Sequence, residues 1–112
     1  MTEYFKREDL DDFNNGKLGD YSKELWDKFL EYYGSVFEEG KLSTREKNLI
    51  ALAVAHAVKC PYCIDAYTNA SLESGYTKEQ MMEAVHVASA ITGGAVLAHG
   101  VQMKNIADEL EF

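Results

Sequence analysis

Apolar residues recur at spacings of three and four along most of the chain, the pattern of amphipathic helices. Over residues 22–39 the apolar positions fall on one aromatic-rich face: Leu25, Trp26, Phe29, Tyr32, Tyr33 and Phe37. Ser22 is the expected N-cap of this helix, and Gly40 marks its expected end. The polar residues 1–20 before it predict a short helix or arm.

Two capping boxes mark the starts of further helices. In the first, Ser43 accepts from a backbone N–H group and Glu46 reaches back to the cap. The apolar run LIALAVAHAV that follows predicts a central buried helix ending near Lys59. Thr77 and Gln80 form the second box, which opens a helix to about position 92.

Proline and glycine divide the rest of the chain. Pro61 suits the first turn of a helix and disfavours helical dihedrals in the preceding residue, so a helix is predicted over 61–74. The Gly93-Gly94 pair predicts a break, followed by a last helix over 95–110. Because no segment shows the period of two that strands require, the predicted fold is all-α, a compact bundle of five to six helices.

Composition narrows the class of protein. The net charge is −8, and the 11 lysines and arginines do not cluster, so neither nucleic acid nor an anionic membrane surface is an expected partner. The apolar run 49–58 is too short to cross a bilayer, and 81–98 is expected to be a buried helix with a break. No apolar signal segment is visible near the start. The expectation is one cytoplasmic domain over 1–112.

The motif with the clearest chemistry is Cys60-Pro61-Tyr62-Cys63. Side chains three residues apart share a helix face, and the start of a helix favours a thiolate and lowers its pKa. The motif therefore predicts a redox-active dithiol. A structural zinc site needs four ligands, and His86 and His99 do not have finger spacing, so no metal and no cofactor are expected. Two inert buried cysteines are the remaining alternative.

Two further residues are candidates for the same site. Tyr67 lies four residues after Cys63, on the same helix face, and its phenol is a candidate hydrogen-bond donor to a thiolate or a peroxide oxygen. The alternative is a core tyrosine. His56, four residues before Cys60, is a candidate proton acceptor, with a hydrogen-bonded core histidine as the alternative. Asp65 is expected to be a solvated or helix-terminal charge.

The segment 42–100 resembles the alkylhydroperoxidase D-like core of the carboxymuconolactone decarboxylase family. The likeness rests on the order of its motifs: a helix opened by Leu-Ser and ending in CxxC, a helix ending at glycine, a capped helix and a glycine-broken apolar stretch. The resemblance implies a homo-oligomer, a trimer or a hexamer. The string CPYCIDAYT is also similar to peroxidase-like proteins associated with arsenosugar biosynthesis, and a vicinal dithiol suits trivalent arsenic as a soft ligand pair.

The resemblance also implies roles for the cysteines. It implies that Cys63 attacks a hydroperoxide and that Cys60 resolves the product as a disulfide. The substrates would be small hydroperoxides or disulfides, and the donor a thiol reductant protein or one of lipoyl or thioredoxin type. The family's relay glutamate and histidine fall at Asn48 and Tyr67, so an altered proton relay is expected. Glu46 is two residues off the glutamate position, where its capping role suffices.

Two other functions remain open from the sequence. One is a non-redox decarboxylase-type enzyme for a small lactone, which would need cationic groups for a carboxylate substrate. The other is a binding module in which the dithiol holds a metal ion or arsenite.

Overall fold

The computed structural model describes residues 6–110, and every regular element in that range is a helix. The five helices are α1 (Arg7–Asn14), α2 (Gly19–Val36), α3 (Thr44–Ala57), α4 (Pro61–Glu73) and α5 (Lys78–Glu109). The prediction of an all-α fold with five to six helices is confirmed. The first five residues of the predicted arm lie outside the described residues.

Helix α3 is the central element, because it packs against both α4 and α5. The core beside it contains Leu52, Tyr76 and Met81, with Leu49 and Tyr67 packed against them. Only one face of α3 is covered. Its other apolar side chains are exposed: Ile50, Val54 and Val58. The prediction that α3 is central is therefore confirmed, whereas burial on all sides is not found in the single chain.

Both predicted capping boxes are present and complete. The Ser43 hydroxyl accepts from the Glu46 N–H at 3.0 Å, and the Glu46 carboxylate accepts from the Ser43 N–H at 2.9 Å. The corresponding distances between Thr77 and Gln80 are 3.1 and 2.9 Å. These local contacts satisfy N–H groups that a helix start leaves without a partner, and so they fix where α3 and α5 begin.

The predicted N-cap Ser22 lies at a kink with φ −150° and ψ 51°, and a helical segment follows it as predicted. The structure adds a helical turn before it, so that α2 as a whole begins at Gly19. Gly16, at φ +80°, turns the chain after α1 and brings Gly19 against Trp26. A Cβ atom on Gly19 would lie 2.9 Å from Trp26 Cδ1, so this close approach requires glycine. This contact accompanies the additional helical turn before Ser22, which local capping signals do not indicate.

The predicted break at Gly93-Gly94 is wrong, since α5 runs without interruption through both glycines. Glycine costs a helix roughly 1 kcal/mol relative to alanine, but it does not exclude helical dihedrals. Ala90, Ala95, Leu97 and Ala98, close to the pair, are good helix formers and offset part of this cost.

The length of α5 leaves it largely uncovered. Met81 and Ala88 are its buried residues, so the predicted burial of 81–98 is not found. By length and by a mean hydropathy of 1.4 over its most apolar window, α5 is also the one helix among residues 6–110 that would fit a membrane span. A helix that packs against another protein surface has the same composition.

Candidate functional site

A single tight turn places the cysteines at the start of α4. At the end of α3, Lys59 adopts a left-handed conformation with φ +58°, and the Cys60 N–H donates to the Ala55 carbonyl at 3.0 Å. This is a Schellman motif, in which the helix end is closed by a residue with positive φ. The chain then enters α4 at once, with Cys60 as N-cap and Pro61 in the first turn. The prediction for this helix start is confirmed.

The two sulfur atoms lie side by side. The Sγ atoms of Cys60 and Cys63 are 2.9 Å apart, and both thiols are free and half-buried. The Cys63 N–H also donates to the Cys60 sulfur at 3.3 Å, so Cys60 occupies the acceptor position of the helix cap. Since a disulfide has its sulfur atoms about 2.0 Å apart, a small side-chain movement would join them.

The pKa of Cys63 departs from the ordinary value of a cysteine. The pKa of Cys63 is raised to about 11, first because burial disfavours the thiolate, then by its hydrogen bond to Cys60 and by negative charge there. This direction is opposite to the one expected from the helix start alone. The N-cap position directs the stabilising N–H to the Cys60 sulfur, while Cys63 loses contact with water. Cys63 therefore keeps its proton beside a Cys60 sulfur that is placed to accept it.

Tyr67 lies among aromatic side chains on the inner side of α4. Its ring stacks on Phe37, with centroids 5.4 Å apart and an interplanar angle of 14°, and it packs against the Leu52 core. It also lines a cavity that Tyr33 shares. Tyr67 is thus a packing residue one turn after Cys63 on α4, and it does not line the cavity that Cys63 lines.

His56 lies on the side of α3 that faces α5. Its Nδ1 is 2.8 Å from the Leu52 carbonyl oxygen, which fixes Nδ1–H as the donor and leaves Nε2 for other partners. The imidazole lines a cavity of about 520 Å³ whose other wall is formed by α5 residues, among them Ser89 and Thr92. Neither cysteine lines this cavity, so the structure does not bring His56 and the dithiol into one pocket.

The family's relay glutamate position is occupied by a packing residue. The Asn48 side-chain amide donates to the Ser74 hydroxyl at 3.0 Å, and the buried Ser71 hydroxyl lies 3.5 Å from the Asn48 carbonyl oxygen. These contacts tie α3 to the end of α4, far along the helix from the cysteines. Asn48 therefore joins helices here and has no acidic proton to relay.

Two polar contacts hold helix α1 beside the dithiol, and neither was predicted from the sequence. Arg7 donates to Asp65 at 2.7 Å, and Asp65 is only 17% exposed, so it is an ion-paired residue rather than the solvated charge that was expected. The Tyr62 hydroxyl, within the CxxC motif, donates to Asp9 at 2.9 Å. Between these contacts, α1 forms one wall of the cavity next to Cys63.

That cavity has a volume of about 150 Å³ and is bounded by α1, α2 and α4. Its lining is mainly apolar and aromatic: Leu10, Phe13, Asn14, Phe29, Leu30, Tyr33, Tyr62, Cys63 and Ala66. Small, uncharged reactants suit such a lining, because burying a charge there would cost free energy. The cavity gives Cys63, rather than Cys60, a space in which a substrate would fit.

Tyr33 is the polar side chain at this cavity that sequence reasoning did not single out. It was assigned only to the aromatic face of α2, and thirty residues separate it from Cys63 in the chain. Its pKa is raised, first by burial and then by negative charge on Cys63 and Cys60. A tyrosine within an aromatic helix face carries no local signal of such a role.

A conventional metal centre is not formed by the residues that the structure describes. Over residues 6–110, no group of three or more histidine, cysteine, aspartate or glutamate side chains is arranged to hold an ion. The dithiol is thus a pair of sulfur ligands without a third side chain of these types.

Known proteins are similar to the part of the chain that contains the dithiol. The model of the carboxymuconolactone decarboxylase family matches residues 23–103. A Paracoccus denitrificans protein described as uncharacterized protein 4 in the cox locus is 41% identical over 97 residues, covering 84% of this chain and 87% of that protein. A crystal structure of a Methanobacterium thermoautotrophicum protein, a structural-genomics target, has a TM-score of 0.72 at 32% identity and covers 75% of this chain and 94% of its own.

Proposed function

The chain belongs to the carboxymuconolactone decarboxylase family, and on that premise we propose that it is a thiol–disulfide oxidoreductase that reduces hydroperoxides with the Cys60–Cys63 dithiol. The observation that carries this proposal is the pair of free sulfur atoms 2.9 Å apart at the start of α4. A stable structural pair would not need a cavity beside one sulfur, and Cys63 lines one.

The proposed reaction has two steps. Cys60 first gives its proton to solvent. As Cys63 then attacks the terminal oxygen of a hydroperoxide, its thiol proton passes to the Cys60 thiolate, the O–O bond breaks and Cys63 becomes a sulfenic acid. The leaving alkoxide takes up a proton to become an alcohol. Cys60 then loses its proton and attacks the Cys63 sulfur, which forms the disulfide and releases water. A thiol reductant protein, of lipoyl or thioredoxin type, would return the disulfide to the dithiol.

Tyr67 and His56 have supporting roles in this proposal. Tyr67 shares a cavity with Tyr33, and its proposed role is to pass a proton to that tyrosine through solvent. His56 lies in the last turn of α3, four residues before Cys60, and its Nε2 is the proposed proton acceptor. The proposed location is the cytoplasm, where reducing conditions would keep the dithiol ready to react.

Stoichiometric oxidation tests the proposed function. One equivalent of tert-butyl hydroperoxide should convert the protein to a form that is lighter by two hydrogen atoms, because one disulfide forms. Peptide mapping should show that the disulfide joins Cys60 to Cys63, and reduction with dithiothreitol should restore the original mass. A Cys60→Ala, Cys63→Ala double variant serves as the control and should not change in mass. Wild-type protein that shows no Cys60–Cys63 disulfide would contradict the proposal.

The two other functions are separated by observations at the same site. A decarboxylase acting on a lactone carboxylate would need cationic groups, whereas the cavity beside Cys63 is mainly apolar and α1 beside it carries several acidic residues. Turnover that survives loss of both cysteines would favour that function. The adjacent free sulfurs do favour binding of trivalent arsenic. Tight binding of arsenite without any hydroperoxide turnover would favour the binding module.

We also propose that the protein is a homo-oligomer, a trimer or a hexamer, in which the outer part of α5 is covered by a second copy. The exposed fractions of Ile91, Val96 and Leu97 are 69%, 71% and 79% in the single chain. A chain of 112 residues has little core of its own, so this surface is the main remaining source of apolar burial.

Light scattering without detergent should therefore give a mass of several chains. Leu97→Glu should lower that mass, because a carboxylate would be buried at the interface. Gln102→Glu is the matched control, since it lies about 140° further around α5 and adds the same charge. A wild-type monomer, or a protein that fractionates with membranes, would contradict the proposed oligomer.

A further inference from the structure

We propose that Tyr33 is the proton donor of the dithiol site and gives its phenolic proton to the alkoxide that leaves when Cys63 attacks a hydroperoxide. This inference rests on the proposed function and assigns the step for which the family's relay residues are missing. Asn48 is engaged with Ser74, and Tyr67 is stacked on Phe37. Tyr33 instead lines the cavity of Cys63, which Tyr67 does not.

The position of the Tyr33 ring is fixed by its neighbours on α2. Phe29 lies on one side, with centroids 5.7 Å apart, and Phe37 stacks on the other at 5.1 Å. These contacts hold the phenol in the wall of the 150 Å³ cavity that Cys63 also lines. A ring held from both sides presents its hydroxyl in a constant place, which lowers the entropic cost of proton transfer.

The Tyr33 hydroxyl is uncommitted. Within residues 6–110 it makes no hydrogen bond, whereas the Tyr62 hydroxyl in the same cavity donates to Asp9 at 2.9 Å. The hydroxyl is therefore free to donate to a partner in the cavity. A peroxide oxygen bound next to Cys63 would be that partner.

The state of Tyr33 also fits a donor. Burial and the nearby sulfur charges raise its pKa, so the phenol stays protonated at neutral pH. The ring is nevertheless 37% exposed, which leaves a route for solvent to return the proton. A general acid must be protonated before each reaction cycle and must regain its proton from solvent afterwards.

The proton balance of the cycle is complete with Tyr33 included. Attack by Cys63 yields sulfenic acid and alkoxide, and the phenol protonates the alkoxide to an alcohol. The phenolate takes a proton back from solvent. Cys60 gives up the proton that it took from Cys63 as it attacks the Cys63 sulfur, and that proton converts the expelled hydroxide to water. The proton taken from solvent replaces the one that Cys60 lost before the first attack. Two thiols are oxidised to a disulfide, and one hydroperoxide is reduced to an alcohol and water.

The experiment compares Tyr33→Phe with Tyr32→Phe, because Tyr32 is the adjacent tyrosine and is 68% exposed. Tyr33→Phe keeps the aromatic packing and should lower kcat/KM for tert-butyl hydroperoxide by about 100-fold. The loss should be much smaller with a peroxycarboxylic acid, because its leaving carboxylate needs no proton. Reaction with an aromatic disulfide, which also expels a stable anion, should be unchanged. Tyr32→Phe should resemble the wild type throughout.

Three results would overturn the Tyr33 assignment, and the third would also overturn the proposed function. If Tyr33→Phe slows all three oxidants equally, the residue has only a structural role, and the inference is overturned. If Tyr33→Phe retains full hydroperoxide activity, the inference fails while the proposed function stands. A wild-type protein that reacts with the aromatic disulfide but never with hydroperoxides overturns the proposed function, and the Tyr33 assignment fails with it.

Discussion

Cys63→Ser should reduce the rate of hydroperoxide consumption by about 1,000-fold or more, because it removes the sulfur that faces the cavity. Serine keeps the size and the polarity of the side chain, so α4 and its first turn should be unaffected. The expected protein retains one free thiol at Cys60, which the measurement of total thiols would count. Consumption of tert-butyl hydroperoxide in the presence of excess dithiothreitol gives the rate.

Cys60→Ser is the matched variant for that measurement. The serine hydroxyl can still accept from the Cys63 N–H, so the cap of α4 is retained. With its attacking sulfur intact, this variant should consume a first equivalent of hydroperoxide and stop at the sulfenic acid in the absence of reductant. A dimedone adduct on Cys63 would identify that product.

The opposite pattern would reverse the two roles. If Cys63→Ser forms the sulfenic acid and Cys60→Ser does not, then Cys60 is the attacking sulfur. The cavity and the helix cap favour different sulfurs as the attacking one. The cavity lies beside Cys63, whereas the cap N–H donates to the sulfur of Cys60. The assignment proposed here reconciles them, since Cys60 takes the proton of Cys63 and Cys63 meets the substrate.

The features that could be predicted from the sequence are those with short-range causes. The capping boxes at Ser43 and Thr77 and the placement of Pro61 act within one helical turn, and each is found as predicted. The dithiol was predictable for the same reason, because Cys60 and Cys63 are neighbours on a single turn. Local chemistry thus accounts for the most reactive part of the candidate site.

The surroundings of the dithiol depend on contacts over long distances in the chain. Arg7 is 58 residues from Asp65, and Tyr62 is 53 residues from Asp9. Nothing in the composition of α1 indicates which face of α4 it will meet. The cavity and the role suggested for Tyr33 arise only when α1, α2 and α4 come together, so no motif could have revealed them.

The errors in the predicted helices have related causes. Gly93-Gly94 weakens a helix by a small free energy that the surrounding sequence offsets, and a propensity of that size cannot decide a break. Ser22 has the chemistry of an N-cap and lies at a kink, but an additional turn that begins at Gly19, packed against Trp26, precedes it. The direction of the Cys63 pKa shift was missed because burial is a property of the fold and is not visible in the motif.

Replacing Cys60 with serine should also lower the pKa of Cys63 from its value of about 11. Two of the three causes of the raised value, the hydrogen bond to the Cys60 sulfur and the negative charge there, are removed, while burial remains. Each unit by which the pKa falls increases the thiolate fraction at neutral pH by about tenfold. Alkylation of Cys63 by iodoacetamide should therefore be faster in Cys60→Ser than in the wild type.

The pH dependence of alkylation, followed by mass spectrometry of the Cys63 peptide, gives this pKa directly. Cys60→Ala is the control: it removes the same sulfur without offering an acceptor to the Cys63 N–H, so it should lower the pKa of Cys63 and weaken the start of α4 by about 1 kcal/mol. A Cys63 pKa that stays near 11 in both variants would mean that burial alone holds the proton. Cys60 would then not act as its acceptor, and the attack step would need a different base.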